Sequence, residues 1–180
     1  MAIKITFFAH ATTFDNELGI CSGQADAKIS NLGKERIKKL RKLTSSMNFY
    51  VVYCSDLSRS RETAEGVFRD RLEIKIDPRL RELNTGSFTG KPDKLVDAEM
   101  LNHINSPFPG GESLEDVKSR TVSFLSDLKK HHNSQIAIVA HMFNQISFEV
   151  ILNKKSWKQA LDDDWRKTDA WQPGWEYIIE

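Results

Sequence analysis

Two apolar runs in this chain end on the same dipeptide: ITFFAH closes on Ala9 and His10, and IAIVAH closes on Ala140 and His141. An imidazole at the end of a buried strand is a candidate nucleophile or base, because its neutral form carries a lone pair near neutral pH. Arg59 and Arg61 stand at the head of a predicted helix in YCSDLSRSRETAE. A helix N-terminus carries partial positive charge, so arginines there suggest a bound anion. The plainer account pairs them with Glu62 and Glu65. Glu82 follows beside Arg81 in PRLRELNTGSFTG, and a carboxyl group near histidines and an arginine serves as a general acid when it is partly buried. Each residue alone has an ordinary structural explanation. The set, with every member just after a predicted strand, points to nucleophilic and acid–base chemistry on an anionic substrate.

Those residues need elements to position them. Residues 3–8, 49–54 and 135–140 are short apolar runs rich in β-branched and aromatic side chains, which read as buried strands. LEIKIDP reads as a short alternating strand ended by Pro78, and residues 176–179 as a last strand. In SNLGKERIKKLRKLTSS, Ile29, Leu32, Ile37, Leu40 and Leu43 recur at helical spacing, with Ser30 or Asn31 available as N-cap. SRSRETAEGVFRDR suggests a second helix. SLEDVKSRTVSFLSDLKKHH suggests a long one, with Leu114, Val117, Val122, Leu125 and Leu128 as its apolar face and a capping box from Ser113 and Asp116. Strands alternating with helices predict a three-layer α/β/α sandwich around a mostly parallel sheet, with residues 1–180 as one domain. Ligands of open α/β sheets bind beyond the carboxyl ends of the strands. His10 and His141 both belong to that edge. Residues 84–112, with Gly86, Gly90, Pro92 and PFPGG, read as a loop-rich insertion holding one short helix near 93–103. Three of the four tryptophans crowd into WRKTDAWQPGWEYIIE, where packing over the end of the sheet is the expected role.

Composition excludes several classes. The 180 residues carry 26 Lys+Arg against 25 Asp+Glu, a formal charge of +1, so no global field grips nucleic acid or an anionic membrane. The KERIKKLRK run lies on an amphipathic helix without interleaved aromatics and reads as a solvated face. The two cysteines, Cys21 and Cys54, show no CxxC or metal-ligand spacing. Cys54 reads as a buried thiol at a strand end. No stretch approaches the roughly 20 apolar residues of a membrane span, and MAIKITFF is too brief for a signal-peptide core. The expectation is a cytoplasmic protein with no metal, cofactor, nucleic-acid or membrane partner, and with no oligomeric state assigned. His103, His131 and His132 lie outside any motif and read as solvated.

Six stretches, in order, resemble the histidine phosphatase superfamily, the phosphoglycerate mutase-like fold. FFAHATTFDN is similar to Leu-x-Arg-His-Gly-x-Thr-x-x-Asn, and SGQADAKISNLG to Gly-x-x-Asp-x-x-Leu-Thr-x-x-Gly. YCSDLSRSRETA resembles Ser-Ser-Pro-Leu-x-Arg-Ala-x-x-Thr-Ala, and LREL resembles Leu-Arg-Glu. FPGGESLEDV and IVAHMFNQI resemble Pro-Gly-Gly-Glu-Ser and Val-Ser-His-Gly-Gly-x-Ile. The resemblance implies that His10 accepts a phosphoryl group on Nε2 and that Arg59 binds the phosphate. It further implies that His141 hydrogen-bonds the same oxygens and that Glu82 protonates the leaving alcohol and then activates water. Asn16, Ser22 and Gly23 match positions that line the phosphate. The implied activity is metal-independent hydrolysis of a small phosphate ester, with mutase-type phosphotransfer as a minor alternative because the segment after Glu82 is short.

The chain departs from that pattern beside the nucleophile. Ala9 stands where the family places arginine, Ala11 replaces the following glycine, and Met142 follows the second histidine. A missing charge-assisted donor is worth roughly 1.5–3 kcal/mol. Three readings of Ala9 follow: Arg61 or Arg81 supplies the missing cation, the substrate demands less, or the chain binds phosphate compounds without turning them over. Retention of His10, Arg59, Glu82 and His141 favours an enzyme.

Overall fold

The structure is a computed structural model and describes residues 2–129, 134–168 and 171–180. Strands β1 (Ile3–Ala9), β2 (Val51–Cys54), β3 (Ile74–Ile76), β4 (Gln135–Ala140) and β5 (Trp175–Ile179) form a sheet in the order β3-β2-β4-β1-β5. All neighbours run parallel except β5, which is antiparallel to β1 at the edge. The β1–β4 register sets Ala9 opposite Ala140. His10 and His141 therefore leave the sheet side by side, which answers why two strands end in the same dipeptide. His10 N–H donates to the Ala140 carbonyl at 2.9 Å and carries the pairing one residue past the strand.

Alternate strand residues face opposite layers, as the two-residue period of a strand requires. Ile3, Ile5 and Phe7, with Val51, Tyr53, Ile136 and Ile138, pack on α5 (Leu114–Leu128) and α6 (Met142–Ile151) through Phe124, Leu125, Leu128 and Phe148. Phe8, Val52, Cys54, Ala137 and Val139 pack on α2 (Asn31–Leu43) and α3 (Ser58–Phe68) through Leu40, Ala64, Val67 and Phe68. The result is the predicted α/β/α sandwich. Helices α1 (Phe14–Leu18), α4 (Asp93–Glu99) and α7 (Trp157–Asp162) sit at the periphery, and a third apolar cluster joins α4, α5, α6 and α7 through Val96, Val117, Phe143 and Trp157.

Ser30 rather than Asn31 caps α2, its hydroxyl accepting from Gly33 N–H, and Ser113 with Asp116 closes the capping box of α5. The second strand begins at Val51 rather than at 49. Two apolar faces are narrower than their spacing predicts. Leu32, Leu43 and Val122 are exposed, because only the helix stripe that meets the sheet is covered, and Thr121 takes the buried place beside Val122 by bonding the Val117 carbonyl. His103 is half-buried and stacked on Phe108, with ring centroids 3.9 Å apart, which corrects its solvated reading. His131 and His132 lie outside the described residues. Among the described residues, no helix is long and apolar enough to cross a membrane.

Candidate active site

A cavity of about 530 Å3 opens over the carboxyl ends of β1 and β4, lined at its floor by Ala9, His10, Arg59 and Glu82. His10 Nδ1 lies 2.8 Å from the Ala11 carbonyl, which fixes the proton on Nδ1 and leaves the lone pair on Nε2. Arg59 Nε–H donates to that Nε2 at 3.2 Å. Burial and the neighbouring Arg59 charge hold His10 down to about 3, so its imidazole is neutral at any physiological pH. The peptide that orients it is itself held: Ala11 N–H donates to Thr63 Oγ1, and that hydroxyl donates to the Arg59 carbonyl. Thr63 thus ties the nucleophile loop to α3. Its signal in the sequence is its place one turn after Arg59.

Arg59 is 2% exposed, in the first turn of α3. Its Nη1 donates to the Ala25 carbonyl at 2.9 Å and its Nη2 to the Gly23 carbonyl at 2.6 Å. No carboxylate forms an ion pair with it among the described residues, so a buried guanidinium faces the cavity with its charge uncompensated by direct contact. Such a group favours an anionic ligand. Gly23 can offer its carbonyl because φ is +48° and a Cβ there would sit 2.8 Å from the hydroxyls of Thr85 and Thr89. Only glycine fits.

Glu82 receives two backbone N–H groups on Oε1, from Leu83 at 2.9 Å and from Phe143 at 3.1 Å. Burial nevertheless raises its pKa, with Arg59 opposing, which favours a protonated carboxyl beside the nucleophile. The loop bearing Glu82 is clasped by Arg120 of α5. Arg120 donates to the carbonyls of Arg79, Arg81 and Glu82, and it pairs with Glu112, whose Oε2 also accepts from Asn84 N–H. Arg120 carries no motif signal in the sequence, since it reads as one more charged residue on an amphipathic helix.

His141 is fully buried and caps α6 behind the cavity wall. Its ring lies 5.1 Å from that of His10, and its Nε2 is 2.6 Å from Ser55 Oγ. Ser55 Oγ also accepts from Leu57 N–H, which holds the hydroxyl against the ring. His141 Nδ1 is buried without a hydrogen-bond partner, as is Asn144 Nδ2, and unmet buried polar groups are costly. Burial and the charge of Arg59 keep His141 well below its ordinary value.

The residues expected to line a phosphate are brought together unequally. Asn16 and Ser22 line the cavity, yet Asn16 Oδ1 is engaged in the α1 capping box with Thr13, and the Ser22 hydroxyl donates to Asp15. Asn16 keeps its amide N–H donors and Ser22 its backbone N–H. The two arginines expected to stand in for a cation at position 9 do not reach the cavity. Arg61 is exposed on α3 beside Glu65, 4.0 Å away, and Arg81 is held bidentately by Asp56 at 2.8 and 2.5 Å. Their side chains leave their elements on the solvent side, which residue order alone does not reveal. Trp175 packs on Phe7, as end-of-sheet packing predicts, but Trp165 and Trp171 form cavity wall. Cys54 is buried and pushed up to about 12. Cys21 lines the cavity with its thiol also raised by burial, the opposite of a reactive thiolate.

A mostly parallel sheet covered on both faces carries paired histidines, a buried arginine and a sheltered carboxyl at its strand ends, a set suited to binding an anion. A model of the histidine phosphatase superfamily (branch 1) matches residues 5–161, and the chain belongs to that superfamily. Phosphoserine phosphatase 1 of Hydrogenobacter thermophilus is 30% identical over 152 residues, 77% of this chain and 71% of that protein. The alpha-ribazole phosphatase of Shigella flexneri superposes with a TM-score of 0.81 at 21% identity, over 98% of this chain and 90% of that one. A phosphoglycerate mutase from Bacillus anthracis gives 0.78 at 17% identity, over 99% and 88%. These two structures share the fold.

Proposed function

We propose that this protein is a phosphatase that hydrolyses a small phosphate monoester through a phosphohistidine on His10. The observation that carries this reading is the state of His10: a neutral imidazole with its proton on Nδ1, bonded to the Ala11 carbonyl, and its Nε2 beside a buried arginine. Phosphoryl transfer asks the protein for an in-line nucleophile and positive donors around the equatorial oxygens. His10 Nε2 attacks phosphorus as the bond to the leaving oxygen breaks. Glu82 gives its proton to that oxygen, and the alcohol departs. The Ala11 carbonyl stabilises the imidazolium character of the phosphorylated ring. Water then attacks phosphorus, the P–N bond breaks, and the Glu82 carboxylate takes the water proton. Phosphate leaves and His10 is neutral again. Arg59 holds the oxygens throughout, and His141, buried behind the cavity wall with its ring 5.1 Å from that of His10, backs the nucleophile.

The names borne by relatives fit this reading, since phosphoserine phosphatase 1 is named for the same reaction class. The free thiols of Cys21 and Cys54 suit a reducing compartment such as the cytoplasm. The test is hydrolysis of a generic aryl phosphate in metal-free buffer by the unaltered chain and by His10→Ala. Turnover that disappears in His10→Ala is expected. Equal turnover in both removes His10 as nucleophile, and no turnover on a broad panel of phosphate esters makes the chain a phospholigand-binding relative.

A further inference from the structure

Three arginines line the cavity among the described residues: Arg36, Arg59 and Arg166. Two are committed. Arg59 already uses three of its five N–H donors on His10, Ala25 and Gly23, leaving two for a ligand. Arg166 is paired with Asp97 and Asp164, at 2.9 and 2.7 Å. Arg36 is different. It is half-buried on α2, with a hydrogen bond from Nη1 to Thr12 Oγ1 and its guanidinium carbon 6.0 Å from the Trp171 ring centroid. No carboxylate is within ion-pair distance of it among the described residues.

The placement of Arg36 is built into the helix. Gly33 lets the first turn of α2 press on the nucleophile loop, where a Cβ would lie 2.1 Å from the Thr12 carbonyl, and Ser30 N–H donates to that same carbonyl at 3.0 Å. Residues three apart share a helix face. Arg36 is therefore carried onto the loop that Gly33 contacts, two residues from His10. Three equatorial phosphoryl oxygens accept more hydrogen bonds than Arg59 can supply, even when attack by His10 Nε2 frees its Nε–H as a third donor, and Ala9 in the cavity floor supplies none.

We propose that Arg36 is the second phosphate-holding cation of this site, shared between Thr12 and an oxygen of the substrate phosphoryl group, with Trp171 covering its outer face. This rests on the cavity being a phosphate-ester site. Inorganic phosphate is the probe, and its Kd for the intact chain is measured by calorimetry, so that turnover plays no part in the readout. Arg36→Ala is expected to weaken phosphate about 10-fold or more, the scale of one charge-assisted hydrogen bond, and Arg36→Lys to recover part of that loss. Lys38→Ala, on the same helix but exposed and paired with Glu35, is expected to bind as the unaltered chain does. Arg36→Met, which keeps the apolar stem, separates lost charge from lost packing and is expected to bind as weakly as Arg36→Ala. Unchanged affinity in Arg36→Ala and Arg36→Met overturns the assignment while leaving aryl phosphate turnover, assayed separately, to judge the phosphatase reading. An unaltered chain that binds no phosphate overturns it too.

Discussion

At the scale of the residue, His10 is defined by what surrounds its two nitrogens. The Ala11 carbonyl accepts a hydrogen bond from Nδ1–H, and Arg59 directs a donor at the lone pair of the other nitrogen. Burial beside the Arg59 charge has a cost in acid. His10 is held near 3 against an ordinary 6.5, so between those values the unfolded chain binds a proton that the folded chain refuses. Stability is therefore complete above about pH 6.5 and lost as pH falls toward 3, and His141 acts in the same direction. Thermal denaturation from pH 8 to 4 is expected to show a falling Tm below pH 6.5, with a shallower fall in His10→Gln. Identical slopes would contradict the depressed pKa. Glu82 makes a different prediction, because a general acid matters most when the leaving group is poor. Glu82→Gln is expected to lower kcat by about 100-fold or more on an alkyl phosphate and by much less on an aryl phosphate with an acidic phenol. A uniform loss across leaving groups would place Glu82 in binding rather than proton transfer.

Helices and loops set these atoms in place, and two contacts between elements dominate. The close approach of α2 to the nucleophile loop depends on Gly33. Gly33→Ala is expected to destabilise the fold by about 1–3 kcal/mol in urea denaturation, and to weaken phosphate binding because Thr12 shifts with the helix. The Arg120–Glu112 clasp holds the loop of Glu82. Arg120→Ala is expected to lower kcat with a small change in KM, since it loosens the acid while leaving Arg59 intact, and a change confined to KM would contradict that role. Helices α2 and α5 were legible in the sequence because each pairs a clear apolar period with a cap, Ser30 and Ser113, and the short strand β3 was legible because Pro78 follows it. Helix α6 was not, because Phe143 through Glu149 are buried all round and leave no polar stripe to mark a 3.6-residue period. Helices α1 and α7, at 5 and 6 residues, are too short to show one.

For the whole molecule, the carboxyl edge of the sheet is where sequence and structure agree best. His10, Arg59 and Glu82 converge there from β1, α3 and the loop after β3, with His141 behind them at the end of β4, as strand-end placement predicts. The upper wall of the cavity was less legible. Arg36, Trp165 and Trp171 arrive from α2 and the C-terminal segment through tertiary packing, and no local pattern distinguishes them from solvated or packing residues. The cation expected from Arg61 or Arg81 failed for the same reason, since side-chain direction at an element's end is a property of the assembled fold. The proposed mechanism is covalent, with the phosphoryl group passing through His10 Nε2. Mixing the protein with an aryl phosphate, quenching in alkali within the first turnover, and mapping the modified peptide by mass spectrometry would trap it. One phosphoryl group is expected on the peptide containing His10, stable in alkali, lost in acid, and absent from His10→Ala. Turnover without any labelled His10, or a phosphoryl group on another residue, would contradict it.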